Sequence, residues 1–147
     1  TTEIYTLSLH DALPILDADP AGNDRWIYPT LELNTAERPH RQIQALAFSF
    51  TLLEGNGQFR VIFEEATGAS YVAGLLDAPK PGETTEAIAL FATAAHGTDW
   101  SKPDPNNQLD PDQIRIIKIG CNVSQGPVRY VFGNLRWVQL AEEQTTE

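Results

Sequence analysis

Short apolar runs with the two-residue period of a β-strand, separated by glycine, proline and asparagine, recur along most of this chain. Side chains one residue apart on a strand face opposite ways, so such a run can bury one face and leave the other in water. Strand candidates occupy residues 26–33, 43–53, 59–65, 70–76, 84–93, 114–121 and 128–140, of which 84–93 is ambiguous between strand and helix. Seven candidates at regular spacing, with no strand–helix–strand unit, predict an all-β fold built as a two-sheet sandwich.

Turn chemistry predicts how some of these runs are connected. Residues 54–57 read Glu-Gly-Asn-Gly, and an Asn-Gly pair accepts positive φ at both central positions of a hairpin turn. Residues 96–112 contain three prolines and predict a long irregular loop. Near the end of that loop, Asp110 is expected to cap a helical turn that begins at Pro111, with Gln113 reaching back.

Charge and cysteine content exclude several classes of function. The chain has 10 Lys+Arg against 20 Asp+Glu, a net charge of −10. Nucleic acids and anionic membranes attract cationic surfaces, so neither is expected as a partner. No run approaches the roughly 20 apolar residues of a membrane span. The single cysteine, Cys121, cannot form an internal disulfide or a four-thiolate zinc site, and its apolar strand predicts a buried side chain.

Residues 1–15 read TTEIYTLSLHDALPI, and this string resembles, codon for codon, the translation of a common short-read sequencing adapter. The resemblance predicts that residues 1–15 are artefactual, that the sandwich spans residues 16–140, and that its native first strand is lost. His10 and Asp11 are therefore left out of functional reasoning, as residues of any cloning scar would be. Residues 141–147 are expected to form an acidic tail.

No constellation in the sequence predicts catalysis. Glu64 and Glu65 are adjacent on a strand, so they face opposite ways and cannot flank one glycosidic bond as a glycosidase pair does. His40 and His96 lie in loops, and no serine or cysteine stands in a nucleophile motif. The chain is therefore not expected to be an enzyme.

Two acidic segments bear on calcium binding. Residues 104–110 have the composition of a calcium loop but lack the ligand spacing and the glycine of an EF-hand, and turn-forming Asp and Asn explain them adequately. Asp17, Asp19 and Asp24 offer carboxylate oxygens that suit calcium, although a solvated acidic loop is the simpler interpretation. No metal ligand or cofactor is assigned from the sequence, and calcium stays an open alternative.

Four segments carry a family resemblance: GNDRWIYPTLEL, VIFEE with GASY after it, WSKPDPNNQLDPDQIRIIKIGCN and VRYVFGNLRWV. They resemble carbohydrate-binding modules with the galactose-binding-like jelly-roll fold, which are appended to bacterial glycoside hydrolases. The resemblance implies a jelly-roll sandwich that binds a polysaccharide or oligosaccharide, without catalysis, beside the parent catalytic domain of a secreted or periplasmic enzyme. Such modules usually open with a strand and an acidic calcium-binding loop, which would fall where residues 1–15 stand.

A sugar offers apolar C–H faces and a rim of hydroxyls, so its site needs exposed aromatic rings flanked by planar hydrogen-bonding groups. Strand alternation predicts that seven such residues line one outer sheet: Trp26, Tyr28, Arg60, Glu64, Tyr130, Asn134 and Arg136. Trp100 and Trp137 are assigned instead to the core or to loop anchoring.

Two alternative functions remain at this stage. One is a structural β-sandwich that packs on a catalytic domain without binding sugar, and the other is an adhesin or protein-interaction module. Exposure of Trp26, Tyr28 and Arg136 in one groove would favour sugar binding, whereas their burial would favour the structural role.

Overall fold

The strand-like runs of the sequence form two antiparallel β-sheets in the computed structural model. The structure describes residues 16–18, 26–55, 59–74, 80–98, 100–122 and 128–139, with the backbone alone for 16–18, 26–27, 74 and 122. The strands are β1 (Leu16–Ala18), β2 (Trp26–Ile27), β3 (Thr30–Glu32), β4 (Ala45–Glu54), β5 (Phe59–Glu65), β6 (Ser70–Gly74), β7 (Thr84–Leu90), β8 (Ala95–His96), β9 (Ile114–Asn122) and β10 (Val128–Val138). Short 3₁₀ turns occupy Thr35–Glu37, Phe91–Thr93 and Pro111–Gln113.

The two sheets pack face to face. One has four strands in the order β1–β10–β4–β7. The other has six, in which β9 pairs with both β2 and β3 on one side, and β5, β6 and β8 follow on the other. The predicted all-β, two-sheet sandwich is thereby confirmed, and residues 84–93 resolve as a strand followed by a 3₁₀ turn.

The core lies between the inner faces of the sheets. On β5 the alternation is as predicted, because Phe59, Val61 and Phe63 belong to the buried core while Arg60 and Ile62 lie on the outer side of the sheet, where Ile62 is nevertheless buried. Trp137 and Cys121 are also fully buried, as expected for both. Removal of this apolar surface from water is the main favourable term in folding.

The prediction that residues 54–57 form a hairpin turn between two paired strands is wrong. β4 ends at Glu54 and β5 begins at Phe59, but β4 pairs with β7 and β10 while β5 pairs with β6 and β9. The chain therefore crosses from one sheet to the other at this point. The turn residues correctly indicate a reversal of the chain, but they do not determine whether the two strands beside the turn pair with each other.

The predicted strand over residues 26–33 is interrupted. Its two parts, β2 and β3, both pair with β9 but are separated by Tyr28 and Pro29. Proline has no backbone N–H to donate to a ladder, so the pairing breaks there.

The predicted helical turn at Pro111 forms, but its predicted cap does not. The Asp110 side chain makes no capping hydrogen bond. Its carboxylate instead accepts a hydrogen bond from the Asn106 amide at 2.8 Å.

A β-bulge in β10 reverses which side chains face the core. Its register with β4 shifts between Gly133 and Arg136, and Asn134 has a φ of 54°. Tyr130 faces the core before the bulge, and Trp137 faces it after the bulge, although their positions differ by an odd number. An extra residue in one strand of a pair breaks simple alternation in this way.

Some predictions lie outside the described residues. They are the artefactual origin predicted for residues 1–15, the acidic tail predicted at 141–147, and the possible calcium ligands Asp17, Asp19 and Asp24, whose carboxylates are not described. In the part of the chain that the structure describes, no helix has the length and apolar character needed to cross a membrane.

Candidate functional site

An open groove lies on the outer face of the six-stranded sheet. It has a volume of about 290 Å³ and is lined by Tyr28, Arg60, Ile62, Trp100 and Lys118. Arg60 and Ile62 occupy outward positions on β5, and Lys118 lies opposite Ile62 on β9. Tyr28 comes from the break between β2 and β3, and Trp100 from the loop after β8. The sheet thus forms the floor, and two connecting segments supply aromatic rings.

Gly120 leaves room for the Tyr28 ring against the sheet. It lies opposite Arg60 in the β5–β9 ladder. A Cβ atom at Gly120 would lie 2.2 Å from the Tyr28 ring, so only glycine permits this approach. The Arg60 Nε donates to the Tyr28 hydroxyl at 2.8 Å, and a second guanidinium nitrogen of Arg60 also contacts this oxygen. The Arg60 guanidinium carbon lies 5.4 Å from the ring centroid, which adds a cation–π contact.

Gly120→Ala is therefore expected to displace the Tyr28 ring and break its hydrogen bond from Arg60. The Arg60 Nε–H signal in a ¹H–¹⁵N spectrum should lose its protection from exchange with water. The free energy of unfolding should change by only about 1 kcal/mol, because the half-buried ring can swing outward while alanine is a better strand residue than glycine.

Gly133→Ala is the matched control for this change. A Cβ atom at Gly133 on the opposite sheet would meet nothing nearer than the Ser49 hydroxyl at 3.9 Å, an ordinary contact. An Arg60 signal that keeps its protection in Gly120→Ala would contradict the role given to Gly120.

Trp100 is the most exposed aromatic side chain of the groove lining, so it does not belong to the core, whereas its contact with Gly97 agrees with the predicted alternative of loop anchoring. Its side chain is 54% exposed. One face of the indole covers Gly97, where a Cβ atom would lie 2.5 Å from the ring. The neighbouring Ser101 accepts a hydrogen bond from the Ser70 backbone N–H at 2.7 Å, which attaches this part of the loop to β6.

Lys118 and Glu64 add charge beside the aromatic rings. The Lys118 ammonium lies 3.2 Å from the Glu64 carboxylate, and both side chains are partly exposed. Glu64 faces outward as predicted, because it lies on the same face of β5 as Arg60. The groove lining itself contains two cations, Arg60 and Lys118, in a chain of net charge −10.

The seven residues predicted to share one outer sheet are divided between two. Tyr28, Arg60 and Glu64 lie on the outer side of the six-stranded sheet. Trp26 belongs to the same sheet through pairing with Asn122, but its side chain lies outside the described part of the structure.

The three predicted residues of β10 are not part of the groove. Tyr130 is fully buried in the core, so its predicted place on an outer face is wrong. Arg136 lies on the four-stranded sheet and forms an ion pair with Glu86 of β7, and Asn134 is exposed on that same strand. The prediction of one shared face fails for two reasons. Strands β10 and β5 belong to opposite sheets, and the bulge turns Tyr130 and Arg136 to opposite faces of β10.

A carboxyl cluster formed by the buried Glu65 and the partly exposed Asp104 and Asp110 attaches residues 100–113 to the end of β5. Glu65 is only 3% exposed, and one carboxylate oxygen each of Glu65, Asp104 and Asp110 lies within 4.8 Å of the others. The Asp110 backbone N–H donates to Glu65 at 2.8 Å, and the Tyr71 hydroxyl donates to Asp104. The sequence places Glu65 on the inward side of its strand but does not predict these loop partners.

Burial is the main influence on the pKa of Glu65. Burial raises the pKa of Glu65 from its ordinary 4.5 to about 7; the Asp110 N–H opposes this shift, and the charge and hydrogen bond of Asp104 reinforce it. Burial and the hydrogen bond to Asp104 likewise raise the pKa of the Tyr71 phenol. One carboxylate oxygen from each of Glu65, Asp104 and Asp110 could reach a common cation, and among the described residues these three form the one such group.

The groove is suited to binding a flat polar ligand. The exposed Trp100 indole can stack on an apolar face, and the Arg60 and Lys118 side chains can donate hydrogen bonds to oxygen atoms. The described lining residues include no carboxylate, and Glu64 and Glu65 lie on opposite faces of β5. Within the described lining, this arrangement provides contacts for binding and no acid–base pair across the groove.

No protein-family model matches this sequence, and no curated protein matches it either. Solved structures match it in fold. The family 11 carbohydrate-binding module of the cellulosomal cellulase Lic26A-Cel5E of Clostridium thermocellum aligns over 97% of this chain and 90% of that chain, with a TM-score of 0.59 and 13% identity.

Two further structures give the same result. The family 11 module from Clostridium thermocellum in complex with a β-1,3-1,4-mixed-linked tetrasaccharide covers 95% of this chain and 90% of that chain, with a TM-score of 0.59 and 13% identity. An agarase matches 95% of this chain over 25% of its own length, with a TM-score of 0.56 and 14% identity. These similarities confirm the predicted jelly-roll form of the sandwich.

Proposed function

We propose that this chain is a non-catalytic carbohydrate-binding module, which binds a polysaccharide or oligosaccharide in the groove on its six-stranded sheet. The observation that carries the proposal is the exposed Trp100 indole beside the hydrogen-bonding groups of Tyr28, Arg60 and Lys118. An indole stacks on the C–H face of a sugar ring, and donors at its edge bind the hydroxyl rim. Because the groove is open, affinity should be modest.

The proposal includes the setting in which such a module acts. We place it in a secreted bacterial enzyme that degrades polysaccharide, where it holds the substrate near a parent catalytic domain. Its benefit would come from effective concentration and would require no chemistry by the module itself. The fold neighbours guide the choice of ligands, since one was solved with a β-1,3-1,4-mixed-linked tetrasaccharide and another is an agarase.

The test is affinity electrophoresis of the chain in native gels that contain one polysaccharide each. Mixed-linked β-glucan and agarose are the first two, followed by other β-glucans, an α-glucan and a galactan. We expect retardation in at least one gel relative to a gel without polysaccharide. Normal mobility of the folded protein in every gel would overturn the proposal.

Arg60→Ala should weaken this retention roughly two- to fivefold, because one partly exposed hydrogen-bonding group contributes about 0.5–1 kcal/mol net. Tyr28→Ala should weaken it further, since it removes both a ring and the hydroxyl that orients Arg60. Dissociation constants follow from retardation against polysaccharide concentration. Arg38→Ala, the same charge change at an exposed residue outside the groove lining, is the control, and an equal loss there would contradict a specific role for Arg60.

One observation favours the alternative function, a structural sandwich that packs on a catalytic domain without binding sugar. Ile88 and Leu90 on the outer face of β7 are 47% and 37% exposed, so the four-stranded sheet presents apolar surface to solvent. An apolar face of this kind suits packing against another protein surface better than contact with a hydrated polysaccharide. The gels described above separate the two functions, because the structural role predicts no retardation.

A further inference from the structure

Trp100 lies in a tight turn that follows β8 of the six-stranded sheet. The segment from Gly97 to Ser101, apart from Asp99, is called the Trp100 turn here. The backbone N–H of Ser101 donates to the Gly97 carbonyl at 2.9 Å, and the backbone N–H of Trp100 donates to the same carbonyl at 3.3 Å. Since β8 ends at His96, the turn begins directly at the end of that strand.

Both backbone polar groups of Ser70 on β6 bind this turn. The Gly97 N–H donates to the Ser70 carbonyl at 2.9 Å, which continues the pairing of β6 with β8 by one residue. The Ser70 N–H donates instead to a side chain, the Ser101 hydroxyl, at 2.7 Å. Ser70 is only 4% exposed, and a buried backbone donor needs an acceptor. The Ser101 hydroxyl therefore takes the place that a strand carbonyl would have.

The Ser101 hydroxyl also acts as a donor. It donates to the Lys102 carbonyl at 3.0 Å, and the His96 ring donates to that same carbonyl at 2.9 Å through its Nε2. A hydroxyl can accept and donate at once, whereas a methyl group can do neither. Loss of this one oxygen would therefore remove both of these bonds and leave the Ser70 N–H without its acceptor.

The indole of Trp100 lies directly against the backbone of Gly97 in this turn. A Cβ atom at Gly97 would lie 2.5 Å from two carbons of the ring and 3.0 Å from its nitrogen. Its three nearest neighbours would thus all belong to the indole, so the absence of a side chain at position 97 is what admits the ring. The ring keeps this place only while the two ends of the turn, Gly97 and Ser101, remain bound to Ser70.

We propose that Ser101 is a positioning residue for carbohydrate binding, because its hydroxyl holds the turn in which the Trp100 indole lies over Gly97 and lines the groove. This inference rests on the proposed function and extends it to residues outside the groove lining, since neither Ser101 nor Gly97 lines the groove. Trp100 supplies the contact with sugar, and Ser101 sets where that contact is made.

Ser101→Ala should weaken retention on polysaccharide about three- to tenfold. The indole is still present in this variant, but the turn is in place in only roughly a tenth to a third of the molecules, and the apparent dissociation constant rises by the inverse of that fraction. The loss should be smaller than that caused by removal of the ring itself. Affinity electrophoresis on whichever polysaccharide retards the wild type gives the dissociation constants.

Three further variants separate positioning from a general effect on the fold. Ser101→Thr keeps the hydroxyl and should restore retention to that of wild type. Gly97→Ala keeps the hydroxyl but displaces the ring, so it should weaken retention at least as much as Ser101→Ala. Ser49→Ala is the matched control, because the Ser49 hydroxyl donates to the Gly133 carbonyl at 3.1 Å on the opposite sheet, and its loss should leave retention unchanged.

The position of the ring can be measured without any ligand. An NOE between the indole protons of Trp100 and the α-protons of Gly97 should be present in wild type, Ser101→Thr and Ser49→Ala, and lost in Ser101→Ala. Trp100→Phe identifies which indole signals belong to Trp100. A hydroxyl that serves the fold alone would lower the Tm when removed but would leave this NOE in place.

Two results would overturn the inference while leaving the proposed function intact. One is retention by Ser101→Ala equal to that of wild type with the NOE preserved, which would mean that a water molecule replaces the hydroxyl. The other is a loss of retention in Ser101→Ala that Ser101→Thr does not restore. A third result, no retention of folded wild type on any polysaccharide, would overturn the proposed function and this inference together.

Discussion

Trp100→Ala is expected to abolish detectable retention on a polysaccharide that retards the wild type, while leaving the fold intact. Truncation of a tryptophan at the centre of a contact commonly costs about 2 kcal/mol of binding free energy, which corresponds to a roughly thirtyfold weaker complex. The cost in stability should be small, because the indole is 54% exposed and packs over Gly97, which has no side chain. Affinity electrophoresis and thermal unfolding by circular dichroism measure the two quantities.

The control for Trp100→Ala is Ile88→Ala. Ile88 is also an exposed large hydrophobic residue, at 47%, but it lies on the outer face of the four-stranded sheet. Its truncation should leave retention unchanged if the groove on the six-stranded sheet is the binding site. Loss of retention in Ile88→Ala with normal retention in Trp100→Ala would move the site to the other sheet. Trp100→Phe, which keeps a smaller ring, should fall between wild type and Trp100→Ala.

The all-β architecture and the direction of many side chains could be predicted from the sequence. Alternation on β5 placed Phe59, Val61 and Phe63 inward, because each strand must bury one face, and Arg60 and Glu64 therefore faced outward. This signal is local, since it depends only on residues within one strand.

Membership of the two sheets could not be predicted in the same way. Alternation separates inward from outward but does not say which outer face a residue joins, so Arg136 was grouped with Arg60 although their strands lie in opposite sheets. The crossing from β4 to β5 has the same cause, because an Asn-Gly turn suits a hairpin locally while the core pairs each strand elsewhere. The bulge at Gly133 then changed the face of every residue after it.

The position of residues 100–113, the loop that carries Trp100, could not be predicted from the sequence. Its irregular, proline-rich character was predicted, but its position depends on contacts with residues some thirty to forty-five places away, such as Ser70 with Ser101 and Glu65 with Asp110. The sequence around a tryptophan in such a loop does not determine whether its side chain is buried or exposed. The polar neighbours Asp99 and Ser101 are a local signal for exposure, whereas the general tendency of aromatic residues favours the core.

Tyr130→Ala is expected to unfold the domain at a much lower temperature without acting on the groove directly. Tyr130 is fully buried, with ring centroids of Phe50, Phe59 and Phe132 at 5.4, 5.6 and 5.9 Å from its own. Truncation of a buried aromatic residue costs about 3–5 kcal/mol, because it removes apolar burial and leaves a cavity. For a chain of 147 residues this corresponds to a fall in Tm of about 10 °C or more, measured by circular dichroism.

Tyr130→Phe separates this packing role from any role of the hydroxyl. The hydroxyl donates to the Ile119 carbonyl over 3.4 Å, a long hydrogen bond, and burial raises the pKa of the phenol. Its removal should cost no more than about 1 kcal/mol. Retention of Tyr130→Phe on polysaccharide should equal that of wild type at a temperature where both are folded. The sequence-based placement of Tyr130 on an outer sugar-binding face predicts the reverse for Tyr130→Ala, namely weakened retention at an unchanged Tm, so one pair of unfolding curves and gels decides between the two positions.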